Sequence, residues 1–221
     1  MITLAIDAST YDGDVAVVGN ARVLAEGHTA MKRADRETLM PLVDHTLERA
    51  GIAPRAIDRV VCGAGPGSFT SLRIAGAICK GIACGVGVPL FAVQSMALIV
   101  AGAEPPVGRY LSVVDALRGE AYIGLYEVGV DRAVHELEPA RIVSVADVAS
   151  IAADLAAQTI GPSRDLCAIV ANPRAQAVAV LEDLIVDSGP VDLASWEPAY
   201  GRLAEAQVKW EAAHGRRLPT G

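Results

Sequence analysis

The sequence contains few aromatic residues and little concentrated positive charge. Phe, Trp and Tyr make up 4% of its 221 residues, whereas hydrophobic residues as a whole make up 52%. This composition favours a folded chain with a large aliphatic core over a disordered one. The net charge is −7, and Lys and Arg occur in no run longer than a pair such as Arg216-Arg217. Any link to RNA is therefore expected to run through a partner protein.

The usual sequence patterns of metal sites are also absent. The chain has four Cys with no C-x-x-C and four His with no two at i, i+4. Zinc hydrolases need such ligand sets, so the sequence predicts no metal site. We expect most of the cysteines to be buried free thiols in a reducing cytosol and the histidines to lie on the surface. These residues are Cys62, Cys79, Cys84, Cys167, His28, His45, His135 and His214.

No signal peptide or membrane span is expected. Asp7 interrupts the apolar run at the N-terminus, which excludes a signal sequence there. The longest stretch without a charge, 81–103, has the length of a membrane span. Gly85, Gly87 and Pro89 divide it into the end of one helix, a strand and the start of another helix. The sequence therefore predicts buried core and a cytoplasmic protein.

The order of hydrophobic periods predicts an α/β fold in two halves. Pro105-Pro106 marks the boundary between them. In the first half the predicted strands are 2–7, 14–18, 22–26, 58–62 and 89–93, and the predicted helices are 36–50, 71–84 and one starting at Ser95. In the second half the predicted strands are 110–115, 121–128, 141–143 and 166–170, and the predicted helices are 145–157, 174–186 and 204–213.

The most informative stretch is a glycine-rich turn, Gly63-Ala-Gly-Pro-Gly-Ser-Phe-Thr70, between a predicted strand and a predicted helix. It is not a P-loop, because no lysine follows Gly67, and Ser68 stands where the third glycine of a dinucleotide fingerprint belongs. The pattern of a nucleophile elbow also fails. Ser68 and Thr70 are candidates to cap the following helix.

Two interpretations of this turn remain open. A bare turn before a helix can bind an anion, because the free N–H groups and the helix dipole point the same way. It can also let two layers pack closely. The candidate contacts for an anion or nucleotide are Gly65, Pro66, Gly67, Ser68, Phe69 and Thr70.

The helix predicted at 71–84 is apolar on nearly all sides. Arg73 and Lys80 are its only charged residues, and the small Gly76, Ala77 and Gly81 would let a second helix approach closely. A helix of this kind needs cover on both sides. It is therefore either a central core helix or a helix whose outer face meets another protein.

The sequence motif G-P-G-S-F-T-x-L-R-I, which begins in the turn, resembles that of the bacterial TsaB (YeaZ) family. Members of this family are accessory subunits of threonylcarbamoyladenosine synthesis. Further stretches resemble the same family in the same order. They are Ile2–Ser9, Glu37–Pro41, Val114–Tyr122 and Glu197–Tyr200. The resemblance spans nearly the whole chain, although 130–190 match only in pattern.

The resemblance implies a duplicated actin-like ATPase fold (ASKHA, ribonuclease H-like) with two lobes, 1–104 with a carboxyl-terminal helix at about 200–221, and 105–199. It implies a non-catalytic subunit that scaffolds a catalytic paralogue, TsaD, and an ATPase, TsaE, during modification of tRNA position 37, with only indirect contact to the tRNA. The alternatives are a glycoprotease-like hydrolase or small-molecule kinase of this fold, and a homodimeric binding module.

The resemblance also suggests where ligands and partners would contact the chain. In actin-like ATPases an acidic residue at the place of Asp7 organises metal and phosphate, and Asp115 lies in the corresponding hairpin of the second half. The stretch Val170-Ala-Asn-Pro173 lacks the glycines of an adenosine cradle. We therefore expect no catalytic residue, no metal and no tightly bound cofactor, with ATP or ADP only at a partner junction. The expected partner interface, which would also allow a homodimer, is Leu39, Leu42, Val43, Leu72, Arg73, Gly76, Ala77 and Lys80.

Overall fold

The computed structural model describes residues 1–31 and 37–199. The strands are β1 Ile2–Asp7, β2 Asp12–Gly19, β3 Arg22–Ala30, β4 Arg59–Gly63, β5 Leu90–Val93, β6 Gly108–Leu117, β7 Glu120–Val128, β8 Val134–Ser144, β9 Gln158–Gly161 and β10 Ile169–Val170. The α-helices are α1 Leu39–Ala50, α2 Phe69–Val86, α3 Ser95–Gly102, α4 Val148–Asp154 and α5 Glu182–Ser188. Short 3₁₀ segments lie at Pro54–Ala56, Val145–Asp147 and Ala175–Ala179.

The strands form two five-stranded sheets with the same internal order. The first sheet runs β3-β2-β1-β4-β5, and the second runs β8-β7-β6-β9-β10. In each sheet the first three strands along the chain pair antiparallel, and the last two join in parallel. This repeated order is the duplicated ribonuclease H-like pattern of the actin-like ATPase fold, which confirms the predicted fold class.

Three apolar clusters place the two sheets and their helices in layers. One face of the first sheet packs against α1 and α2, through residues such as Leu4, Val17 and Cys79. Its other face packs against α3 and, across that helix, against one face of the second sheet. The outer face of the second sheet is covered by α4. Because α3 lies between the sheets, all its residues from Ser95 to Ala101 are buried.

Several predicted elements have different bounds in the structure. Helix α1 begins at Leu39, where the Glu37 carboxylate accepts hydrogen bonds from the N–H groups of Leu39 (2.5 Å) and Met40 (3.1 Å). Pro41 therefore stands in the first turn, where a missing N–H costs no helical hydrogen bond. The predicted part of this helix before residue 37 and the predicted helix 204–213 lie outside the described residues.

The second lobe departs further from the prediction. Strand β9 was not predicted, and β8 is eleven residues long where the sequence predicted only 141–143. The predicted helix 174–186 is instead a 3₁₀ segment followed by α5, and at its start the N–H of Ala175 donates to the Asp14 carboxylate (2.7 Å). The predicted helix 145–157 likewise splits into a 3₁₀ segment and the shorter α4.

The chain returns to the first lobe before residue 199. Arg59 on β4 forms a bidentate ion pair with Glu182 on α5. The N–H of Val191 donates to the Leu90 carbonyl (2.8 Å), and that of Ala199 donates to the Ala64 carbonyl (2.7 Å). Helix α5 and the segment after it thus contact the first lobe, while the division of the chain into lobes 1–104 and 105–199 stays a prediction.

Helix α2 has the length and apolar composition of a membrane span, and about a third of it is buried inside the fold. Its buried residues Ala75, Cys79 and Ala83 pack in the cluster beneath the first sheet. A core helix of a globular protein meets the same criteria of length and composition. Within the described residues, α2 is therefore explained as one layer of the first lobe.

Candidate functional site

The glycine-rich turn is held between the end of β1 and the start of α3. The N–H of Gly65 donates to the Ser95 hydroxyl (2.9 Å), and the N–H of Ser95 donates back to the Gly65 carbonyl (2.9 Å). On the other side, the N–H of Ser68 donates to the Ser9 carbonyl (2.6 Å). The Gly65–Pro66 peptide bond is cis, and Gly65 has a positive φ of 91°. Two N–H groups of the turn are thus already bonded to the protein itself.

Two glycines of this region allow the chain to approach its neighbours closely. A Cβ at Gly67 would lie 1.9 Å from the Ser9 carbonyl oxygen, and a Cβ at Gly63 would lie 1.9 Å from the Asp7 carboxylate. Neither separation is compatible with a side chain. These contacts support close packing as a role of the turn. That the turn also contacts an anion stays a prediction.

The start of α2 differs from the prediction in its capping. The helix begins at Phe69, two residues earlier than predicted, so Thr70 lies within it. Ser68 precedes the helix, but its side chain makes no capping hydrogen bond and instead lies 3.1 Å from the Ser71 hydroxyl. The predicted capping roles are therefore wrong. The Arg73 guanidinium lies 5.4 Å from the centre of the Phe69 ring, a cation–π contact at the surface.

Asp7 is the centre of a buried hydrogen-bond network behind the turn. Only 1% of it is exposed. One carboxylate oxygen accepts bonds from the backbone N–H and the hydroxyl of Ser9 (both 2.9 Å), and the other accepts a bond from the Ser95 hydroxyl (2.5 Å). Burial raises the pKa of Asp7, while the hydrogen bonds from Ser95 and Ser9 act in the opposite direction. Through Ser95 this network reaches the Gly65 N–H, and so it fixes the turn.

The surroundings of Asp7 do not fit the metal-organising role that the fold suggests. Both carboxylate oxygens accept bonds from protein donors, and the backbone of Gly63 is pressed against the group. Within residues 1–31 and 37–199, no three side chains of His, Cys, Asp and Glu form a cluster suited to a metal ion. A carboxylate that is enclosed and satisfied in this way holds neighbouring backbone in place.

Asp115 is not the counterpart of Asp7 in the second lobe. It is exposed, and its carboxylate accepts a bond from the N–H of Leu117 (2.7 Å) in its own hairpin. The equivalent positions follow from the parallel pairing in each sheet. In the first sheet Ile6 pairs with Cys62, and Asp7 is the next residue along β1. In the second sheet Ser112 pairs with Ile160, and Val113 is the next residue along β6. The residue at the equivalent register is therefore Val113, which corrects the predicted pair of carboxylates.

A second buried carboxylate, Asp14, was missed by the sequence analysis. It lies opposite Asp7 in the β1–β2 pairing, and its carboxylate accepts the bond from the Ala175 N–H. The Arg174 guanidinium forms ion pairs with two carboxylates, through Nε to Asp14 Oδ2 (3.2 Å) and through Nη2 to Glu26 Oε2 (3.2 Å). Burial raises the pKa of Asp14 to about 6 although the Ala175 N–H and Arg174 lower it. No local pattern reveals this group, because Ala175 is 161 residues away.

The residues predicted for the partner interface fall into two groups. Leu39, Val43 and Leu72 are fully buried within the chain, so they are core residues and do not face a partner. Gly76 is also buried, because Pro198 and Trp196 of the returning segment cover it. This corrects half of the predicted set: Leu39 and Val43 pack in the cluster beneath the first sheet, Leu72 lies beside Gly65 of the turn, and Gly76 lies under the returning segment.

The other predicted interface residues remain accessible. Arg73 and Ala77 are exposed, and Leu42 is half-buried beside Gly27. Lys80 is half-buried, with its ammonium group 6.0 Å from the centre of the Trp196 ring. Along α2 the exposed residues recur at spacings of three and four, so they share one face. We call this face the outer stripe; it consists of Thr70, Arg73, Ala77, Gly81 and Cys84.

Predictions for the remaining reactive side chains can also be placed. Cys62, Cys79 and Cys167 are buried free thiols as expected, while Cys84 is exposed on the outer stripe. Burial raises the pKa of Cys167 to about 11, which keeps that thiol protonated at neutral pH. The histidines within the described residues are exposed, as predicted; they are His28, His45 and His135. His214 lies outside the described residues.

Comparison with known proteins places the chain in a family. The family model for TsaD, tRNA N6-adenosine threonylcarbamoyltransferase, matches residues 24–176. The tRNA threonylcarbamoyladenosine biosynthesis protein TsaB of Bacillus subtilis is 28% identical over 95% of this chain and 98% of its own length. TsaB of Escherichia coli is 33% identical over 58% of this chain and 55% of its own length.

Two further comparisons agree with these matches. An uncharacterized protein of Mycobacterium tuberculosis is 33% identical over 73% of this chain and 79% of its own length. The solved structure of YeaZ from Pseudomonas aeruginosa superposes with a TM-score of 0.74 at 25% identity, over 90% of this chain and 99% of that one. The chain therefore belongs to the family of the tRNA N6-adenosine threonylcarbamoyltransferase model, and within it is a TsaB/YeaZ-like protein.

Proposed function

We propose that this chain is a non-catalytic accessory subunit in the synthesis of threonylcarbamoyladenosine in tRNA, and that it docks on a TsaD-like catalytic paralogue through α1 and α2. The names of the relatives from Bacillus subtilis and Escherichia coli support the pathway. The match to a transferase model supports a shared fold with the catalytic subunit, since paralogues built on one fold can pair through equivalent helices.

The outer stripe of α2 is the observation that supports the docking surface. Its residues are small or short apart from Arg73, and a Cβ at Gly81 would meet nothing within 4 Å. Beside the stripe, Ile74, Ile78 and Ile82 are only half-buried. Small residues let a second helix approach closely, and half-buried isoleucines provide apolar area that association removes from water. The exposed Met40 on α1 adds a further apolar contact for a partner.

A scaffolding role follows from how the first lobe uses its polar groups. Asp7, Ser9 and Ser95 bond one another and the turn, so they fix the amino end of α2. The docking helix is thereby held rigidly before a partner arrives, which lowers the entropic cost of association. The same framework would position a TsaE-like ATPase beside the catalytic subunit, with tRNA held by the partners, in the cytoplasm. The turn at 65–70 is the proposed contact for ATP or ADP at the subunit junction.

Reconstitution with the catalytic paralogue from the same organism tests this proposal. The chain, the paralogue and the ATPase are combined with tRNA, ATP and an activated threonylcarbamoyl donor labelled in its threonine, and incorporation of label is measured with each component omitted. Omission of the chain should abolish most incorporation. The variant Ala77→Arg places bulk and charge on the outer stripe, and it should reduce both pairing and incorporation by at least about tenfold. Ala149→Arg, at an exposed position of α4, is the matched control.

Circular dichroism and light scattering accompany the binding assay. A folded Ala77→Arg variant that still pairs like the parent would contradict the docking surface. If the chain forms dimers that Ala77→Arg dissolves, and no paralogue binds, then the homodimeric module is the correct function. Incorporation of threonine by this chain alone would show it to be an enzyme.

Nucleotide binding separates the accessory subunit from a kinase-like enzyme. Because the Asp7 carboxylate is enclosed, the isolated chain should show no micromolar binding of Mg·ATP in calorimetry. A micromolar site in the isolated chain that is lost in Asp7→Asn would contradict a non-catalytic role. A site that arises only in the complex with the paralogue would support a junctional nucleotide.

A further inference from the structure

A cavity of about 320 Å³ opens at the seam between the two lobes, at the opposite end of α3 from the glycine-rich turn. The first lobe contributes Val23 of β3 and the end of α3. The second lobe contributes Val128 and Val134, which are paired with each other where β7 meets β8. The 3₁₀ segment Ala175–Ala179 closes the remaining side. The proposed pairing of subunits does not involve this cavity.

The space exists because the elements that meet there carry small side chains. Ala101 and Gly102 end α3, and Ala177 and Ala179 face them from the 3₁₀ segment. These two elements cannot move closer, since a Cβ at Gly102 would already lie 2.7 Å from the Cβ of Arg174. The cavity is therefore set by backbone contacts on one side and a strand pair on the other, and it is preformed.

The lining is apolar inside and mixed at the mouth. Val128, Val134, Ala101 and Ala177 are buried and form the floor, while Val23 and Val180 are 43% and 51% exposed and form the rim. Besides Gln176, the polar side chains in the lining are Glu104 and Arg132.

The charges at the mouth offset one another. The Arg132 guanidinium donates to the backbone carbonyls of Pro105 and Glu104 (both 3.0 Å), which ties the second-lobe hairpin to the end of α3. One acidic and one basic side chain thus stand at the mouth, so the cavity attracts neither cations nor anions strongly. An ion would also lose its hydration on entering an apolar floor, which is costly.

Size decides the kind of occupant. The volume is about twice that of an apolar cavity of about 150 Å³ that holds one benzene molecule. It lies at the lower end of the range of about 300–1,000 Å³ that small-molecule pockets occupy. A helix of a partner protein, about 10 Å across, does not fit inside it. We propose that this cavity is a binding site for a compact neutral molecule with an apolar body of one or two rings, which contacts both lobes at once.

Indole serves as the probe, because it is neutral, apolar and of this size. Binding is measured on the full chain by saturation-transfer NMR and by the rise of the melting temperature with indole concentration. Ala179→Trp fills the cavity from the 3₁₀ segment, and Val180→Trp blocks it from the exposed rim. Ala149→Trp, on the exposed face of α4, adds the same side chain elsewhere. Circular dichroism verifies the fold of each variant.

We expect saturable binding of one indole per chain, weakened at least about tenfold by Ala179→Trp or Val180→Trp and unchanged by Ala149→Trp. Tryptamine and indole-3-propionate, which carry opposite charges on the same ring system, should both bind more weakly than indole. Absence of saturation up to the solubility of indole would overturn the proposal. Equal binding by all variants would place the probe elsewhere and overturn it too. Tighter binding of either charged analogue would overturn the neutral class of ligand.

Discussion

The two lobes share one sheet order but differ after the fourth strand of each sheet. In the first lobe β4 leads through the glycine-rich turn into the 18-residue α2 before β5 begins. In the second lobe β9 reaches β10 through 162–168, without a helix. Helix α2 therefore has no counterpart in the second lobe. The helix that carries the outer stripe is the element in which the two halves of the fold differ most.

The two lobes also differ in polarity at one register position. Gly63 ends β4 and Gly161 ends β9, and both glycines press against the strand beside them. The neighbour of Gly63 is the Asp7 carboxylate, whereas the neighbour of Gly161 is the backbone carbonyl of Val113. The close approach is thus common to both sheets, while the buried carboxylate belongs to the first lobe alone. Experiments can therefore separate the steric effect of the two glycines, which both lobes share, from the effect of the Asp7 carboxylate, which only the first lobe has.

The largest effects should come from adding a methyl group at these glycines. Gly63→Ala places its Cβ 1.9 Å from the Asp7 carboxylate, and Gly161→Ala places its Cβ 2.0 Å from the Val113 carbonyl. Each change should lower the free energy of unfolding by about 3–4 kcal/mol, measured by urea denaturation. The closest clash is with a side chain at Gly63 but with a backbone carbonyl at Gly161, so only Gly63→Ala can be relieved by shortening its closest neighbour.

The double variant Gly63→Ala/Asp7→Ala tests that distinction. Its loss of stability should be smaller than the sum of the two single losses by at least about 1 kcal/mol, because only the milder contact with the Cβ of residue 7, at 3.0 Å, remains. Gly161→Ala combined with Val113→Ala should show no such relief, since the backbone carbonyl remains. Additive losses in the first pair would mean that Asp7 is not the group that excludes a side chain at residue 63.

Removal of the two carboxylates that the sequence suggested as a pair should have unequal effects. Asp7→Ala leaves the Ser9 N–H and the hydroxyls of Ser9 and Ser95 without their buried acceptor. It should cost about 2–3 kcal/mol in urea unfolding. Asp115→Ala removes one exposed bond to Leu117 and should cost less than about 1 kcal/mol. Similar costs for both would contradict the difference between the lobes.

The sequence predicted the elements whose signal is local. The apolar run of β1, the turn at 63–70 and the apolar side of α1 are visible in the residues themselves, and each lies where it was expected. The meaning of that apolar side was not predictable. Leu39 and Val43 could equally have met a partner or a sheet, and only the packing of the whole lobe shows that they face the sheet.

The features that escaped prediction depend on residues far apart in the chain. Strand β9 has only four residues, and its extended form comes from pairing with β6. The bond between Ser95 and Asp7 joins residues 88 positions apart. Gly76 is covered by Pro198 and Trp196, which follow it by more than a hundred residues. A single sequence carries no periodic signal for such contacts, so half of the interface prediction was wrong.

The pair of carboxylates in the first lobe should make stability depend on pH. Asp7 lies opposite Asp14, whereas the equivalent positions of the second lobe hold Val113 and Ile123. The pKa of Asp14 rises on folding from 3.8 to about 6. The folded chain then binds more protons than the unfolded chain between these values, so stability decreases as pH rises through this window and levels off above it.

Between pH 4.5 and pH 7 the free energy of unfolding should fall by about 2 kcal/mol through Asp14. Asp14→Asn keeps an acceptor for the Ala175 N–H and does not titrate, so the difference between parent and variant isolates this group from Asp7 and Glu136, whose pKa values burial also raises. Urea unfolding at several pH values measures it. A parent and variant with parallel pH profiles would show that Asp14 titrates normally.

The smallest effect concerns α2 itself. Gly81 lies on the outer stripe of the helix, and a Cβ there would meet nothing within 4 Å. Gly81→Ala should therefore raise the free energy of unfolding of the isolated chain by about 0.5–1 kcal/mol, because alanine is the better helix former.

If a partner helix packs closely on this stripe, the same methyl group should weaken binding of the catalytic paralogue. A variant that is more stable alone and binds less tightly would separate folding from docking at one residue. Both effects are measured on the same variant, so that urea unfolding reports helix propensity and titration with the paralogue reports docking. Unchanged affinity in Gly81→Ala would mean that no backbone comes close to this part of α2, and the docking surface would then be limited to the first turns of the helix around Arg73.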